Sequence, residues 1–300
     1  MIMLKRVKLN LRTVIKKACA WTVSVYALLG FLAAFVSLEQ LLDSWCITDL
    51  WCKLLVSALI LLGVFLVCFV IAEFVVLCKR EVTVLETPNG HSVFVVYGDL
   101  FSEKIVPSGT GRRNICFAVN RCFDTLVDDK LISSKTIHGT AFRGLYERGT
   151  YNPVSLDAAI QSSIVHEAKF DMLTATEKPV GNLRRYEVGT GADLAVSDSL
   201  HYFLIGIGKM DSNLKNSAEN GDYCLAIQKM IEFFDTYSQG YPVLLPIIGA
   251  GLTRLGQNPK DLLNYLIYSL YINKSQINSD IYIVLRDQDR ESIAIADLKP

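Results

Sequence analysis

Two long apolar runs near the amino terminus constrain this 300-residue chain more than any other feature. Residues 19–38 (CAWTVSVYALLGFLAAFVSL) carry no charged side chain, and residues 54–78 carry only one, Glu73. A helix rises about 1.5 Å per residue, so 20 residues span roughly 30 Å, the thickness of a bilayer's hydrocarbon core. The two runs therefore predict two transmembrane helices, in preference to buried core helices or a cleaved signal peptide.

The charge of the chain is unevenly distributed, although 30 basic residues balance 30 acidic ones. Residues 1–80 hold nine basic residues and four acids, a net charge of +5, and the remaining 220 residues hold 21 and 26, a net charge of −5. The positive-inside rule then predicts a basic cytoplasmic N-terminus over residues 1–18, an external loop over residues 39–53 and a cytoplasmic C-terminal part. An acidic cytoplasmic part also argues against a nucleic-acid partner.

Polar residues in and between the two spans allow more than one interpretation. Glu73 lies near the cytoplasmic end of the second span, where it either anchors the helix at the interface or contributes to assembly or a pore. Cys46 and Cys52 both fall in the predicted external loop and form a disulfide if that compartment is oxidising.

The histidines are scattered and no Cys/His set has zinc-ligand spacing, so we expect no metal site.

The pattern changes to that of an α/β domain after the second span. Val82–Glu86 and Ser92–Tyr97 predict a hairpin across Pro88-Asn89-Gly90. A second hairpin is predicted for Arg185–Val188 and Asp193–Val196, across Gly189-Thr190-Gly191. Further strands are predicted at Asn114–Val119, His201–Ile207, Pro242–Ile248 and Ile281–Leu285, and helices at Ser155–Glu167, Tyr223–Tyr237 and Pro259–Tyr271. Strands alternating with helices favour a mixed sheet flanked by helices on both faces.

A glycine-rich loop over residues 245–256 (LPIIGAGLTRLG) joins the apolar strand to the last helix. Glycines allow the backbone to approach a ligand, and a helix N-terminus attracts phosphate. The spacing of Gly251 and Gly256 fits a P-loop but no lysine follows, and Arg254 stands where a Rossmann loop needs glycine. The loop alone is equally compatible with a phosphate site and with a tight turn.

Three strands end in characteristic residues: one ends in Gly98-Asp99-Leu100, another ends in Asn120, and a third opens into the glycine loop. These strand endings resemble those of the macro domain, a family that binds ADP-ribose. The resemblance covers roughly residues 80–300 and implies that Asp99 and Leu100 hold the adenine and that Asn120 lies near the distal ribose. It further implies ligand contacts from Ile248, Gly249, Ala250, Gly251, Leu252, Thr253, Arg254 and Leu255, and we add Arg121, Phe123 and Asp124 as candidates.

Two spans fused to a macro-like domain are similar to the membrane-bound, macro-domain effectors of the Thoeris antiphage system. This resemblance implies a non-enzymatic effector without a cofactor in the inner membrane of a bacterium. Its signal would be an ADP-ribose derivative, histidine–ADP-ribose, made by a partner TIR-domain enzyme. Signal binding would drive homo-oligomerisation and membrane disruption, and so growth arrest or cell death.

Two other functions remain open at this point. One is a membrane-anchored ADP-ribosyl hydrolase, in which Asp124 would be the nearby acid. Catalytically active macro domains usually carry a glycine-rich run after the asparagine, and here Asn120 is followed by no glycine before Gly139, which argues against hydrolysis. The other is a structural or transport subunit that binds a protein, which predicts normal function after Gly251→Trp.

Overall fold

The computed structural model describes residues 2–32, 49–166, 168–251 and 255–298. The chain forms two compact units. The first extends to Arg80 and also includes Arg290–Asp297, and the second comprises Glu81–Asp289 with the last residues of the chain.

The first unit is built on two long helices, α1 (Ile2–Leu32) and α2 (Leu50–Cys78). Both are long and apolar enough to cross a membrane. The contact between the two helices is made by small and aliphatic side chains, and small side chains let helix backbones approach closely. The buried residues of this contact are Val14, Ala18, Cys68, Ala72 and Val76. Most of the other apolar side chains of α2 are exposed, as Phe74 at 70% and Val70 at 63% illustrate.

Both helices differ from the predicted boundaries. Helix α1 begins at Ile2, so the basic segment predicted to precede the first span is helical, and residues 33–38 of that span lie outside the described residues. Helix α2 begins at Leu50 because the Asp49 carboxylate accepts a hydrogen bond from the Cys52 N–H at 3.1 Å, so the end of the predicted loop is helical. Cys46 lies outside the described residues, and the disulfide stays a prediction.

A C-terminal 3-10 turn, Ile295–Asp297, completes the first unit. Ala296 packs against the buried cluster of the two helices, and the Thr13 hydroxyl donates a hydrogen bond to the Asp297 carboxylate. Residues 290–297 are therefore part of the same unit as the two long helices.

The second unit contains a mixed sheet in the order β1-β2-β10-β9-β3-β7-β6, with β8 paired to β7. Strands β2, β10, β9, β3 and β7 are parallel neighbours, and β1, β6 and β8 pair antiparallel. Strands β4 and β5 form a separate two-stranded sheet. The strand bounds are β1 Glu81–Glu86, β2 Ser92–Tyr97, β3 Arg113–Asn120, β4 Phe170–Met172, β5 Arg184–Tyr186, β6 Gly191–Ser197, β7 Leu200–Met210, β8 Asn216–Ser217, β9 Val243–Leu245 and β10 Ile281–Leu285.

Four helices cover the two faces of this sheet, which confirms the predicted α/β architecture. They are α3 (Ile137–Glu147), α4 (Pro153–Ser163), α5 (Asn220–Tyr237) and α6 (Pro259–Ile272). Phe117 of β3 meets Phe142 of α3 edge-to-face at 6.4 Å, in a core that α4 also joins. On the opposite face Phe203 of β7 meets Phe233 of α5 at 5.2 Å.

Two strand predictions are wrong for identifiable reasons. The apolar strand is only Val243–Leu245, because Pro246 has no N–H to continue a ladder that is paired on both sides. The second hairpin does not form, since β5 pairs with β4 and β6 pairs with β7. Gly191 lies inside β6, where a Cβ atom would overlap the Phe233 ring, so close packing rather than a turn requires this glycine.

Helix boundaries and one whole helix also differ from the sequence pattern. Helix α4 begins at Pro153, where Asn152 and Ser155 form a capping box, and it ends at Ser163 because Ile164 bridges to Ala192. The sequence pattern missed α3 entirely.

Candidate functional site

A cavity of about 480 Å³ opens at the carboxyl ends of the parallel strands. Its wall includes Asn120 and Met210, the last residues of β3 and β7, and Pro246 and Arg286, which follow β9 and β10. Ligands of open α/β sheets bind in the crevice beyond the carboxyl ends of the strands. The position of this cavity therefore makes it the candidate binding site.

The glycine loop forms one wall of the cavity through residues 246–251. Gly249 has a φ of +87°, and a Cβ atom there would lie 2.6 Å from Leu255 and 2.9 Å from the Tyr223 ring. The Tyr223 hydroxyl also donates a hydrogen bond to the Ile248 carbonyl at 3.1 Å. A Cβ atom on Gly251 would meet no atom of the described residues within 4 Å. Gly249 is thus required by the loop itself, whereas Gly251 borders open space.

The start of helix α3 forms another part of the wall, through Thr136, Ile137 and His138. The Thr136 hydroxyl caps the helix by accepting a hydrogen bond from the Gly139 N–H at 2.9 Å. A Cβ atom on Gly139 would overlap the Ser133 carbonyl, so the preceding loop lies directly against the first turn. The positive end of an 11-residue helix therefore lies at the cavity wall.

Four cationic side chains line the cavity: Lys130, Lys135, Lys215 and Arg286. Two acids accompany them, Asp129 and Asp289, so the described lining has a net charge of +2 (four minus two). Asp289 pairs with Arg286, whose Nη2 lies 3.1 Å from its Oδ1. The cavity is positively charged although the second unit as a whole is acidic.

The cationic residues that the sequence pattern indicated as ligand candidates are Arg121 and Arg254, and it did not indicate these four. Lys130 and Lys135 stand in the glycine-poor loop after Asn120. The sequence signal that could have indicated these two lysines is that basic residues stand in a loop where the macro-domain resemblance leads one to expect glycines. Lys215 and Arg286 come to the cavity only through the pairing of β8 with β7 and the central position of β10.

Five of the residues predicted to bind the ligand line this cavity together: Asn120, Ile248, Gly249, Ala250 and Gly251. Six others do not line it: Asp99, Leu100, Arg121, Phe123, Asp124 and Leu255. The last three, Leu252, Thr253 and Arg254, lie outside the described residues. In the segment that follows β2, the residue that lines the cavity is Phe101, next to the predicted Asp99 and Leu100.

Three of the predicted ligand residues make contacts within the fold instead. The Arg121 Nε donates to the Tyr186 carbonyl at 2.7 Å. Phe123 is 1% exposed and packs edge-on against the Tyr186 ring at 5.6 Å. Asp124 is buried, with its Oδ1 2.9 Å from the Lys178 Nζ.

Two proton-transfer groups at the cavity, Asp129 and His138, are poor bases. The Ser134 N–H donates to the Asp129 carboxylate at 2.7 Å and lowers the pKa of that carboxyl below its usual range. Burial lowers the pKa of His138 to about 3, so its imidazole is neutral at physiological pH. Neither of these two groups is therefore suited to act as a general base at physiological pH, while the cations of the lining suit an anionic ligand.

Comparisons with known proteins agree with this arrangement. Residues 93–286 match the family described as "Thoeris protein ThsA, Macro domain". The chain is also 25% identical over 258 residues to the "Thoeris protein ThsA" of Bacillus amyloliquefaciens (strain Y2), covering 84% of this chain and 80% of that protein.

Solved structures with a similar arrangement include an Oceanobacillus iheyensis macrodomain with MES bound. It shows 11% identity and a TM-score of 0.39, over 70% of this chain and 90% of that chain. The macrodomain of Mycobacterium tuberculosis DarG shows 12% identity and a TM-score of 0.32, over 63% of this chain and 97% of that chain. The family match spans more than half of the sequence, and the chain therefore belongs to the ThsA macro-domain family of Thoeris proteins.

Proposed function

We propose that this protein is a membrane effector of a Thoeris-type antiphage system. In this account the macro domain binds an ADP-ribose-derived signal, histidine–ADP-ribose, which a partner TIR-domain enzyme makes when phage infects. The observation that carries the proposal is the cationic, glycine-walled cavity at the carboxyl edge of the parallel sheet. A nucleotide diphosphate needs that combination of cations, backbone N–H groups and a helix N-terminus.

Size and charge both support a dinucleotide-like ligand. A volume of about 480 Å³ falls within the range of small-molecule sites. Phe101 lines the same cavity and is only partly buried, so it offers apolar surface for a base or an imidazole. The net charge of +2 on the lining complements the two negative charges of a diphosphate.

The first unit supports a membrane location. A helix in a soluble core buries most of its apolar side chains, whereas only 17% and 6% of the most apolar windows of α1 and α2 are buried. Such exposed apolar surface is stable in lipid and costly in water. The basic residues before the first apolar run favour a cytoplasmic location for both termini, and the macro domain would then face the bacterial cytoplasm.

Binding without turnover is the activity we propose, with no cofactor. The hydrolase alternative needs a base beside the distal ribose, and Asp124 is held by Lys178 away from the cavity lining. The pKa of Asp129 is lowered, which makes this acid at the cavity a weaker base. Incubation of the purified protein with ADP-ribosylated substrate tests this point, and measurable release of ADP-ribose would favour the hydrolase.

The output we propose is ligand-driven homo-oligomerisation followed by membrane disruption. Ligand binding shifts an equilibrium only by its preference for one state, so the oligomer must bind the signal more tightly than the resting protein does. The full chain in liposomes loaded with a self-quenched dye should release dye on addition of histidine–ADP-ribose. Gly251→Trp, which places a bulky side chain at the cavity wall, is the matched control and should release none.

The TIR-domain partner is tested separately in cells. Co-expression of this chain with a TIR-domain enzyme encoded beside it should protect a bacterial culture against phage by arresting growth of infected cells. Protection by this chain without any TIR-domain enzyme would contradict the proposed source of the signal. Normal protection by Gly251→Trp would favour the structural or transport alternative.

A further inference from the structure

Two buried polar atoms at the cavity have no hydrogen-bond partner among the described residues. They are Nε2 of His138 and Oδ1 of Asn216, and both residues line the cavity. A buried polar group without a partner destabilises the fold, so such groups are rare unless something else satisfies them. The position of both atoms at one cavity points to a ligand as that partner.

The His138 ring is held in place and its protonation state is defined. It is 8% exposed and meets the Phe142 ring edge-to-face at 4.4 Å and the Phe117 ring at 6.3 Å. It also donates a hydrogen bond to the backbone of Asp124, which uses the proton of the neutral imidazole. Nε2 then carries a lone pair and is a hydrogen-bond acceptor.

Asn216 is fixed by a different contact. It stands in β8, which pairs with the end of β7, and a Cβ atom on Gly208 of β7 would overlap its amide. Gly208 lies opposite Asn120 in the register of β7 and β3. The Asn216 amide is therefore packed against backbone at the cavity floor, with an acceptor oxygen that needs a donor.

We infer that His138 and Asn216 are specificity-determining residues that accept hydrogen bonds from O–H or N–H groups of the ligand. The cations of the cavity attract phosphate but do not distinguish one nucleotide from another, whereas an acceptor in a fixed position rejects a ligand that lacks the matching donor. This inference rests on the proposed function and adds to it. The donor belongs either to the sugar beyond the diphosphate or to the nucleoside.

Calorimetry of the full chain in detergent tests the inference, with ADP-ribose and ADP as probes. His138→Phe keeps an aromatic ring and removes the acceptor, and His138→Gln keeps an acceptor near the position of Nε2. We expect His138→Phe to weaken ADP-ribose binding by about 10- to 100-fold and His138→Gln to restore most of it. Asn216→Leu should weaken binding similarly, with Asn216→Asp as the variant that retains an acceptor.

Comparing ADP with ADP-ribose shows which part of the ligand carries the hydrogen-bond donor. An equal loss for ADP and ADP-ribose places it on the nucleoside, and a loss for ADP-ribose alone places it on the second sugar. Unfolding temperatures of the ligand-free variants separate a binding effect from a folding effect. In ¹⁵N-histidine-labelled protein the Nε2 resonance of His138 should move upfield when ADP-ribose binds, as expected for an accepted hydrogen bond.

Three results would overturn the inference. Unchanged ADP-ribose affinity in both His138→Phe and Asn216→Leu contradicts it and leaves the proposed function standing. If the Nε2 resonance of His138 does not move at saturating ADP-ribose, the inference is contradicted for His138 and the proposed function again stands. Failure of the folded wild-type protein to bind ADP-ribose at all contradicts both the inference and the proposed function.

Discussion

Lys178 Nζ lies 2.9 Å from Asp124 Oδ1, and the two side chains are 0% and 1% exposed. The ammonium also donates to the carbonyls of Val180 and Asn182 at 2.8 and 2.9 Å, and the Asn182 N–H donates to the same carboxylate oxygen at 2.7 Å. The pair ties the loop before β5 to the segment that follows β3. Asp124 therefore has a structural role.

Removing one partner of this pair should destabilise the protein strongly. Lys178→Met leaves the Asp124 carboxylate buried and unpaired, and we expect a loss of about 3–5 kcal/mol in the free energy of unfolding. The double variant Lys178→Met with Asp124→Leu removes both charges and should recover much of that loss. Denaturant unfolding followed by fluorescence measures both. A double variant less stable than Lys178→Met would contradict the assignment of a buried ion pair.

Two glycines of the cavity wall should respond differently to substitution. Gly249→Ala forces a side chain into a φ of +87° and against Leu255 and Tyr223, so we expect a loss of about 2 kcal/mol or more. Gly251 borders open space, so Gly251→Trp should change the free energy of unfolding by less than about 0.5 kcal/mol while abolishing ligand binding. Thermal unfolding and calorimetry separate these outcomes. Equal stability losses in the two variants would show that the loop is not built as described.

The cavity lysines should make ligand binding sensitive to salt. Lys130→Met and Lys135→Met should each weaken ADP-ribose binding by up to about tenfold at low ionic strength, because each removes a cation from the lining. Lys104→Met is the control, since Lys104 is exposed and does not line the cavity. Affinity is measured at two salt concentrations. An equal effect of all three substitutions would mean that only the overall charge matters.

His138 should make the stability of the fold depend on pH. Its pKa of about 3 in the folded protein lies below the usual value near 6.5, so between these values the unfolded chain binds a proton that the folded protein excludes. The free energy of unfolding should therefore fall as the pH drops below about 6.5, by at most about 1.4 kcal/mol per pH unit from this group. His138→Gln should flatten this dependence. Identical pH profiles for the two proteins would rule out a buried neutral imidazole.

Membrane topology gives a prediction for the first unit. In single-cysteine variants, Cys52 at the start of α2 should react with a membrane-impermeant maleimide in intact spheroplasts. Cys224 in the second unit is also exposed, and it should react only after lysis. The reverse pattern would place the macro domain outside the cell and exclude a cytoplasmic signal as its ligand.

Strands with strong local signals were predictable from the sequence. Ile281–Leu285 and the first hairpin match the structure closely, because continuous apolar residues and Pro-Asn-Gly leave few alternatives. Gly191 gave a misleading turn signal, since its purpose is to admit the Phe233 ring, which is distant in sequence. The local sequence pattern carries no information about packing between residues that are distant in the chain.

The candidate site was predictable only in part, for the same reason. The glycine loop and Asn120 follow strands directly, so sequence order places them at the carboxyl edge of the sheet. Lys215 and His138 reach the cavity through a strand of two residues and a helix that the sequence pattern did not indicate. Asp124 follows Asn120 closely, yet Lys178, 54 residues away, draws it into the interior.

The central claim is that the macro domain is a receptor for an ADP-ribose-derived signal. Isothermal titration calorimetry of the full chain in detergent, with histidine–ADP-ribose and ADP-ribose, tests it most directly. The account predicts saturable binding of one ligand per chain, abolished in Gly251→Trp and preserved in Lys104→Met. Absence of binding to either ligand, in protein shown to be folded by its cooperative thermal transition, would contradict it.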